Sequence, residues 1–215
     1  MTPETLARYF TRNDGSFLCA RWGRPIVPVV FGVDEATLQI IKGAIEATVL
    51  VAGHRMAETD PELGANLMFF FFRDWAELKE VPDLERMIPD LHPLCDRLTA
   101  QGANQYRLFR FDQDGAIKAV FVFLRMDEHL SDLPAADLAL AQAAQVMLTW
   151  GDRAFEEGGP LAKVEDNVIL HPDVAAVICT AYNKTLPNAA SDASHALRLA
   201  ARLTVTPLPQ EGGCA

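Results

Sequence analysis

The chain is 215 residues long, half of them hydrophobic and 22% charged, with a net charge of −10 and an isoelectric point near 4.9. That is the composition of a globular protein long enough to bury a sizeable core. Its 19 basic residues, scattered among 29 acids, exclude nucleic acid as a main partner. The most apolar short run, Leu67–Phe72, is far below the roughly 20 residues that cross a bilayer, so no membrane span is expected.

Taken in order, the chain opens with Met1-Thr2-Pro3-Glu4-Thr5, which lacks the basic start and apolar core of a signal peptide. As written, this places the protein in the cytoplasm, with export expected only if a leader has been removed. Free thiols in a reducing compartment are the simpler account of Cys19, Cys95, Cys179 and Cys214, although their spacing also allows two disulfides. Residues 2–10 suit a short helix before the polar turn Asn13-Asp14-Gly15-Ser16. Residues 21–31 read as a strand whose prolines, Pro25 and Pro28, confine it to a sheet edge or a bulge. Asp34 suits the N-cap of an amphipathic helix carrying Leu38, Ile41, Ile45, Val49, Ala52 and Met56 at helical spacing.

Residues 65–73 form the clearest strand. Leu67, Phe69 and Phe71 face one way and Met68, Phe70 and Phe72 the other, so both faces need cover and the strand belongs in mid-sheet. Pro82, Pro89 and Pro93 break the next region into short helical pieces ending near Ala100. Residues 104–111 and 116–126 flank Asp112-Gln113-Asp114-Gly115 as a hairpin; a tight turn would set Phe111 opposite Ala116 and Tyr106 opposite Phe121.

Residues 133–155 read as a long central helix, apolar almost all the way round, with a thin stripe of Gln142, Gln145, Thr149 and Asp152 on one face. Glu156-Glu157-Gly158-Gly159-Pro160 ends it and is a plausible hinge. Residues 172–182 and 191–203 read as two further helices, the second capped by Ser191. The expected architecture is α+β: a mixed sheet with packed helices over 1–157, a helical C-terminal subdomain packed on it over 158–206, and a frayed tail over 207–215.

The element order, with a long helix following strands and a hairpin, resembles the zincin metalloproteases, whose central helix carries His-Glu-x-x-His. The matching window here is Ala141-Gln142-Ala143-Ala144-Gln145, which has neither the imidazoles that hold zinc nor the carboxylate that activates water. The resemblance therefore implies a degenerate, metal-free version. Arg-Trp-x-x-Pro-Ile-x-Val (Arg21–Val29 with one residue inserted), together with the Gln142–Asp152 helix, also resembles a group of uncharacterised proteobacterial proteins. Some of that group are thought to be exported lipoproteins, and no activity is implied by the likeness.

Other motifs have simpler readings. His92 and Cys95 lack a second zinc-spaced pair, and Asp112-x-Asp114-Gly115 is too short for a calcium loop. Ser191, Asp192, Ser194 and His195 fit a helix start better than a triad. Asp127, Glu128 and His129 fit a solvated charge run, the alternative being an acid/base pair. Arg73, Arg107, Arg110 and Arg125 either converge on an anion or pair with acids across strands. The stripe of Gln142, Gln145, Thr149 and Asp152 is either the polar floor of a ligand cleft or the edge of a packed helix. The expected function is a non-catalytic binding or interaction domain, a pseudoenzyme without metal or cofactor, taking a protein or a small molecule. The alternatives are a metal-independent hydrolase and a small-molecule carrier. Nothing in the sequence fixes the oligomeric state.

Overall fold

The computed structural model describes residues 1–156 and 158–204. In chain order the elements are α1 (Pro3–Phe10), β1 (Cys19–Ala20), β2 (Pro28–Phe31), α2 (Glu35–Val51), β3 (Leu67–Phe72), a 3-10 turn (Trp75–Glu80), α3 (Leu84–Met87), α4 (Leu91–Ala100), β4 (Gln105–Phe111) and β5 (Ile117–Arg125). They continue with α5 (Glu128–Ser131), α6 (Ala135–Met147), the hairpin β6 (Leu161–Val164) and β7 (Asn167–Leu170), α7 (Pro172–Ala181), β8 (Ala189–Ala190) and α8 (His195–Leu203).

The architecture is α+β. A four-stranded mixed sheet runs β2-β3-β5-β4, with β2, β3 and β5 parallel and β4 antiparallel to β5. β3 lies in mid-sheet, and its two apolar rows enter separate cores. Leu67 and Phe69 join the core beneath α2 and α6, whereas Met68, Phe70 and Phe72 join one built with Trp75, Leu78, Leu84, Leu91 and Leu98. Covering both faces is what a parallel strand with no polar row requires. β2 is an edge strand, and Pro28 lies in it, where a missing N–H costs least. The strand expected over 21–31 is broken, however: Arg21, Trp22 and Ile26 make only isolated bridges, and regular pairing begins at Pro28.

Four other expectations are corrected. The hairpin is real, but an irregularity at Arg110/Phe111 shifts the register, so Phe111 faces Ile117 and Tyr106 faces Phe123. α8 begins at His195 rather than Ser191, because Asp192 turns its carboxylate back to the Ser194 N–H and spends residues 191–194 on a turn. The C-terminal part carries the β6–β7 hairpin besides its helices, and Val174, Val177, Ile178 and Leu199 enter the same core as α2 and α6. Cys19 and Cys95 are free, buried thiols, but Cys179 is disulfide-bonded, against the expectation of free thiols throughout. Residues 207–215 lie outside the described residues.

The sixth correction matters most for the site. The central helix stops at Met147 instead of running to Phe155. Three aromatic side chains donate to carbonyls of its last turn: Trp150 Nε1 to Ala144 O (3.1 Å), Trp22 Nε1 to Val146 O (2.8 Å) and Tyr182 Oη to Met147 O (2.9 Å). Those carbonyls have no partner within the helix, so donors from outside can end it there without leaving buried acceptors bare. Leu148 is extended and bridges Arg21, and the Thr149 N–H donates to Ala20 O. Gly151 then passes so close to α1 that a Cβ on it would lie 2.3 Å from Thr11 O. Its N–H donates to Tyr9 O at 2.7 Å. Residues 148–156 are thereby folded back as a wall beside β4 instead of projecting as helix.

Candidate binding groove at the open edge of the sheet

The wall, β4 and the turn after α1 enclose an open groove of about 820 Å³, lined by Gln105–Phe109, Phe111, Gln145, Trp150–Asp152, Phe155, Glu156 and Arg12. Strand alternation decides which β4 side chains point into it. Gln105, Arg107 and Phe109 share the α6 side of the sheet, while Tyr106 and Leu108 pack against the opposite core.

Arg107 is the unusual residue. Its Nη2 donates to Gln142 Oε1 (2.6 Å) and to Gln105 Oε1 (2.9 Å), and Gln142 Nε2 donates in turn to Gln105 Oε1 (2.9 Å). Its Nε is enclosed and has no partner, and Nη1 makes no protein hydrogen bond among the described residues. Among the described residues, no carboxylate pairs with it. Burial alone pulls its pKa down to about 10, which still leaves it charged at neutral pH.

Several other cations do have acid partners. Arg24 pairs with Asp60 and Glu62, Lys118 with Glu62, Lys79 with Asp96, Arg125 with Asp127, and Arg153 with Glu156. Arg21 has no carboxylate either, but the Tyr182 and Leu186 carbonyls take its Nη atoms and its guanidinium lies 5.5 Å from the Tyr182 ring centre. The groove's own acids are engaged: Asp152 accepts from the Asn13 N–H (2.7 Å), and Glu156 holds Arg153. Arg12, at the rim, adds a second positive charge.

Of the four stripe residues, Gln145 and Asp152 line the groove, and Gln142 stands behind its surface as the buried acceptor that orients Arg107. Thr149 has a different task. Its hydroxyl accepts from the Ala20 N–H (2.8 Å) and donates to Leu18 O (3.0 Å), which ties the wall to β1. Helical spacing puts all four on one face; with the helix ending at Met147, Thr149 and Asp152 leave that face altogether. Arg107 was among the candidate arginines, but its sequence surroundings do not set it apart from Arg110 and Arg125.

Other candidates are occupied structurally. Asp127 caps α5 by accepting from the Leu130 N–H and is held by Asn104 and Arg125. His195 is buried at the start of α8 with Nδ1 unpartnered. Among the described residues, no three His, Cys, Asp or Glu side chains gather as a metal site would require, and no helix is long and apolar enough to cross a membrane. A second cavity, about 340 Å³, lies past the C-terminal ends of β2, β3 and β5 and is lined mainly by Ile41, Phe71, Met126, Leu130, Leu133 and Leu138.

Comparison with protein-family models, with curated proteins and with solved structures finds no match to this chain. The functional reading therefore rests on the groove itself.

Proposed function

We propose that the protein is a non-catalytic binding domain that holds a carboxylate-bearing ligand against Arg107. One observation carries the reading: a charged guanidinium is set into the wall of an open groove with two amide oxygens and no acid as partners. Burying an unpaired charge costs several kcal/mol, and a fold keeps such a group where something supplies the opposite charge. A carboxylate can accept from Nη1, the guanidinium nitrogen that no described residue engages, while Nη2 stays anchored to Gln105 and Gln142. Gln145 and Arg12 line the same groove, Arg12 adding a second positive charge and Gln145 an amide whose Nε2 also donates to Ala141 O, and Trp150, Phe155 and Phe109 give the rest of the ligand an apolar wall.

Among the described residues that line the groove there is no Ser, Cys or His, and its two carboxylates are engaged, Asp152 by the Asn13 N–H and Glu156 by Arg153. The zincin-like comparison fits the same proposal as a scaffold without metal. In it Gln142 stands where the general base would be, and its side chain is committed to Arg107.

The test is thermal unfolding of the intact protein with acetate, glutarate or inorganic phosphate, at ionic strength matched with chloride. A carboxylate at ten times its dissociation constant stabilises the folded state by about 1.4 kcal/mol, which raises Tm by roughly 3–6 °C. Arg107→Met should abolish that rise. Equal responses from wild type and Arg107→Met would overturn the proposal.

A further inference from the structure

The groove is more than a pocket for a carboxylate, because it follows the free edge of β4. Side chains on a strand alternate between two faces, yet five consecutive residues, Gln105 to Phe109, all line it. That is possible only where the cavity reaches the strand's edge and touches its backbone. The hydrogen-bond phase says which backbone groups lie there. The Arg125 N–H donates to Asn104 O (2.8 Å), so within the register Gln105↔Leu124, Tyr106↔Phe123 and Arg107↔Val122 the bonded partners of β5 are Tyr106 and Leu108. Gln105, Arg107 and Phe109 therefore direct their N–H and C=O groups outward. Among the described residues, no backbone or side-chain partner takes them.

Exposed edges are normally blunted by proline, by brevity or by a bulge. β2, at the other edge, is four residues long and carries Pro28. β4 is seven residues long and has no proline, and its irregularity comes only at the far end, at Arg110/Phe111.

We propose that an extended segment of another protein adds to β4 as a fifth strand, with an acidic side chain opposite Arg107. This rests on the carboxylate-binding reading above and names its ligand as a peptide strand. An added strand brings side chains directly opposite those of β4 to within about 5 Å. On the groove side its residues meet Arg107 and the Phe109–Phe111 ring pair, whose centres are 6.5 Å apart. On the other side they meet Tyr106 and Leu108, beside a cavity that Ile88, Pro93 and Leu94 line, with Asp90, Arg97 and Arg110 also on its wall. The partner is thus a strand of alternating character: one face apolar, the other with an acid and, two residues from it, an aromatic or aliphatic side chain, after the acid in a strand parallel to β4 and before it in an antiparallel one. A second copy of this chain fits poorly, since edge-to-edge pairing of β4 with itself brings two unpaired Arg107 guanidiniums onto one sheet with no acid between them.

The probe is a fluorescein-labelled peptide blocked at both ends, Thr-Val-Glu-Val-Phe-Val-Thr, titrated with the intact protein and read by anisotropy. Saturable binding is expected. Replacing its Glu by Gln, or using Arg107→Met protein, should weaken binding about tenfold or more, the loss of one charge-assisted hydrogen-bond pair. N-methylating the amides of one alternate set should weaken it comparably, while methylating the other set changes it less than about twofold, because only one set faces β4. If Glu→Gln matters but neither methylated set does, strand addition is overturned and carboxylate binding stands. If neither the Glu nor Arg107 matters, both fall. Absence of saturable binding up to millimolar protein overturns strand addition, and a dimer in sedimentation that Phe109→Pro dissociates overturns the choice of partner, giving the β4 edge to a second copy of this chain.

Discussion

Arg107→Met, in the absence of any ligand, separates a guanidinium kept for binding from one kept for the fold. Methionine fills most of the volume of the arginine stem without its charge. Two effects oppose each other. Removing a partly desolvated guanidinium that has no carboxylate partner among the described residues is favourable, by less than the about 1–4 kcal/mol seen when buried ion pairs give way to apolar side chains. Against this, Gln142 Oε1 loses the 2.6 Å bond from Nη2 and Gln105 Oε1 loses one of its two donors. Gln142 is 2% exposed, so its oxygen cannot turn to water, and an unsatisfied buried acceptor costs about 1–3 kcal/mol. The expected net change is within about 2 kcal/mol of zero, a Tm shift below roughly 8 °C for a chain of this size. Arg107→Met/Gln142→Leu removes both partners together and should be at least as stable as Arg107→Met alone. The assay is reversible urea unfolding followed by tryptophan fluorescence, with Tm from circular dichroism. A loss above about 3 kcal/mol for the single variant, not recovered in the double, would refute the reasoning: Arg107 would then be a structural tether.

Gly151→Ala should destabilise by about 1–3 kcal/mol, because its Cβ would meet Thr11 O at 2.3 Å and both segments are backbone; thermal melts check this. Thr149→Val keeps the shape but strips the Ala20 N–H and Leu18 O of their partner, for an expected loss of about 2–4 kcal/mol in urea unfolding. His195 is held below its ordinary pKa of 6.5, first by burial and then by Arg198, so it folds neutral. The unfolded chain binds the extra proton; the stability from keeping His195 neutral is therefore present above about pH 6.5 and lost as pH falls below it. His195→Leu should flatten that part of the Tm-against-pH curve, and an unchanged curve would exclude His195 as its source. Burial lowers the Arg107 pKa only to about 10, so carboxylate affinity should be level from pH 7 to 9 in the same titration.

Much of the fold was legible because its signals are local. The two apolar rows of Leu67–Phe72 placed β3 in mid-sheet, Pro28 put β2 at an edge, and Asp112–Gly115 marked the hairpin turn. The end of α6 was not legible, since Leu148–Phe155 keeps a helical apolar pattern and what stops it comes from Trp22, Trp150 and Tyr182, two of them far away in sequence. The site suffered from the same blindness. Gln142 and Gln145 stood out on their helix, but Arg110, Arg125 and Arg107 look alike in sequence. What distinguishes Arg107 is which face of β4 it takes and that no acid reaches it there. Both follow from tertiary pairing, with the register shift at Arg110/Phe111 part of that pairing.

The three aromatic donors at the end of α6 have a consequence for the order of folding. They join residue 22, residues 144–150 and residue 182, so that turn cannot be completed until distant parts of the chain have met. Contacts of such long sequence separation form late and slow the rate-limiting step. Once formed, they leave the turn no way to fray by itself. The amides of Val146 and Met147 should therefore exchange with solvent only through global unfolding, at the same free energy as the centre of β3.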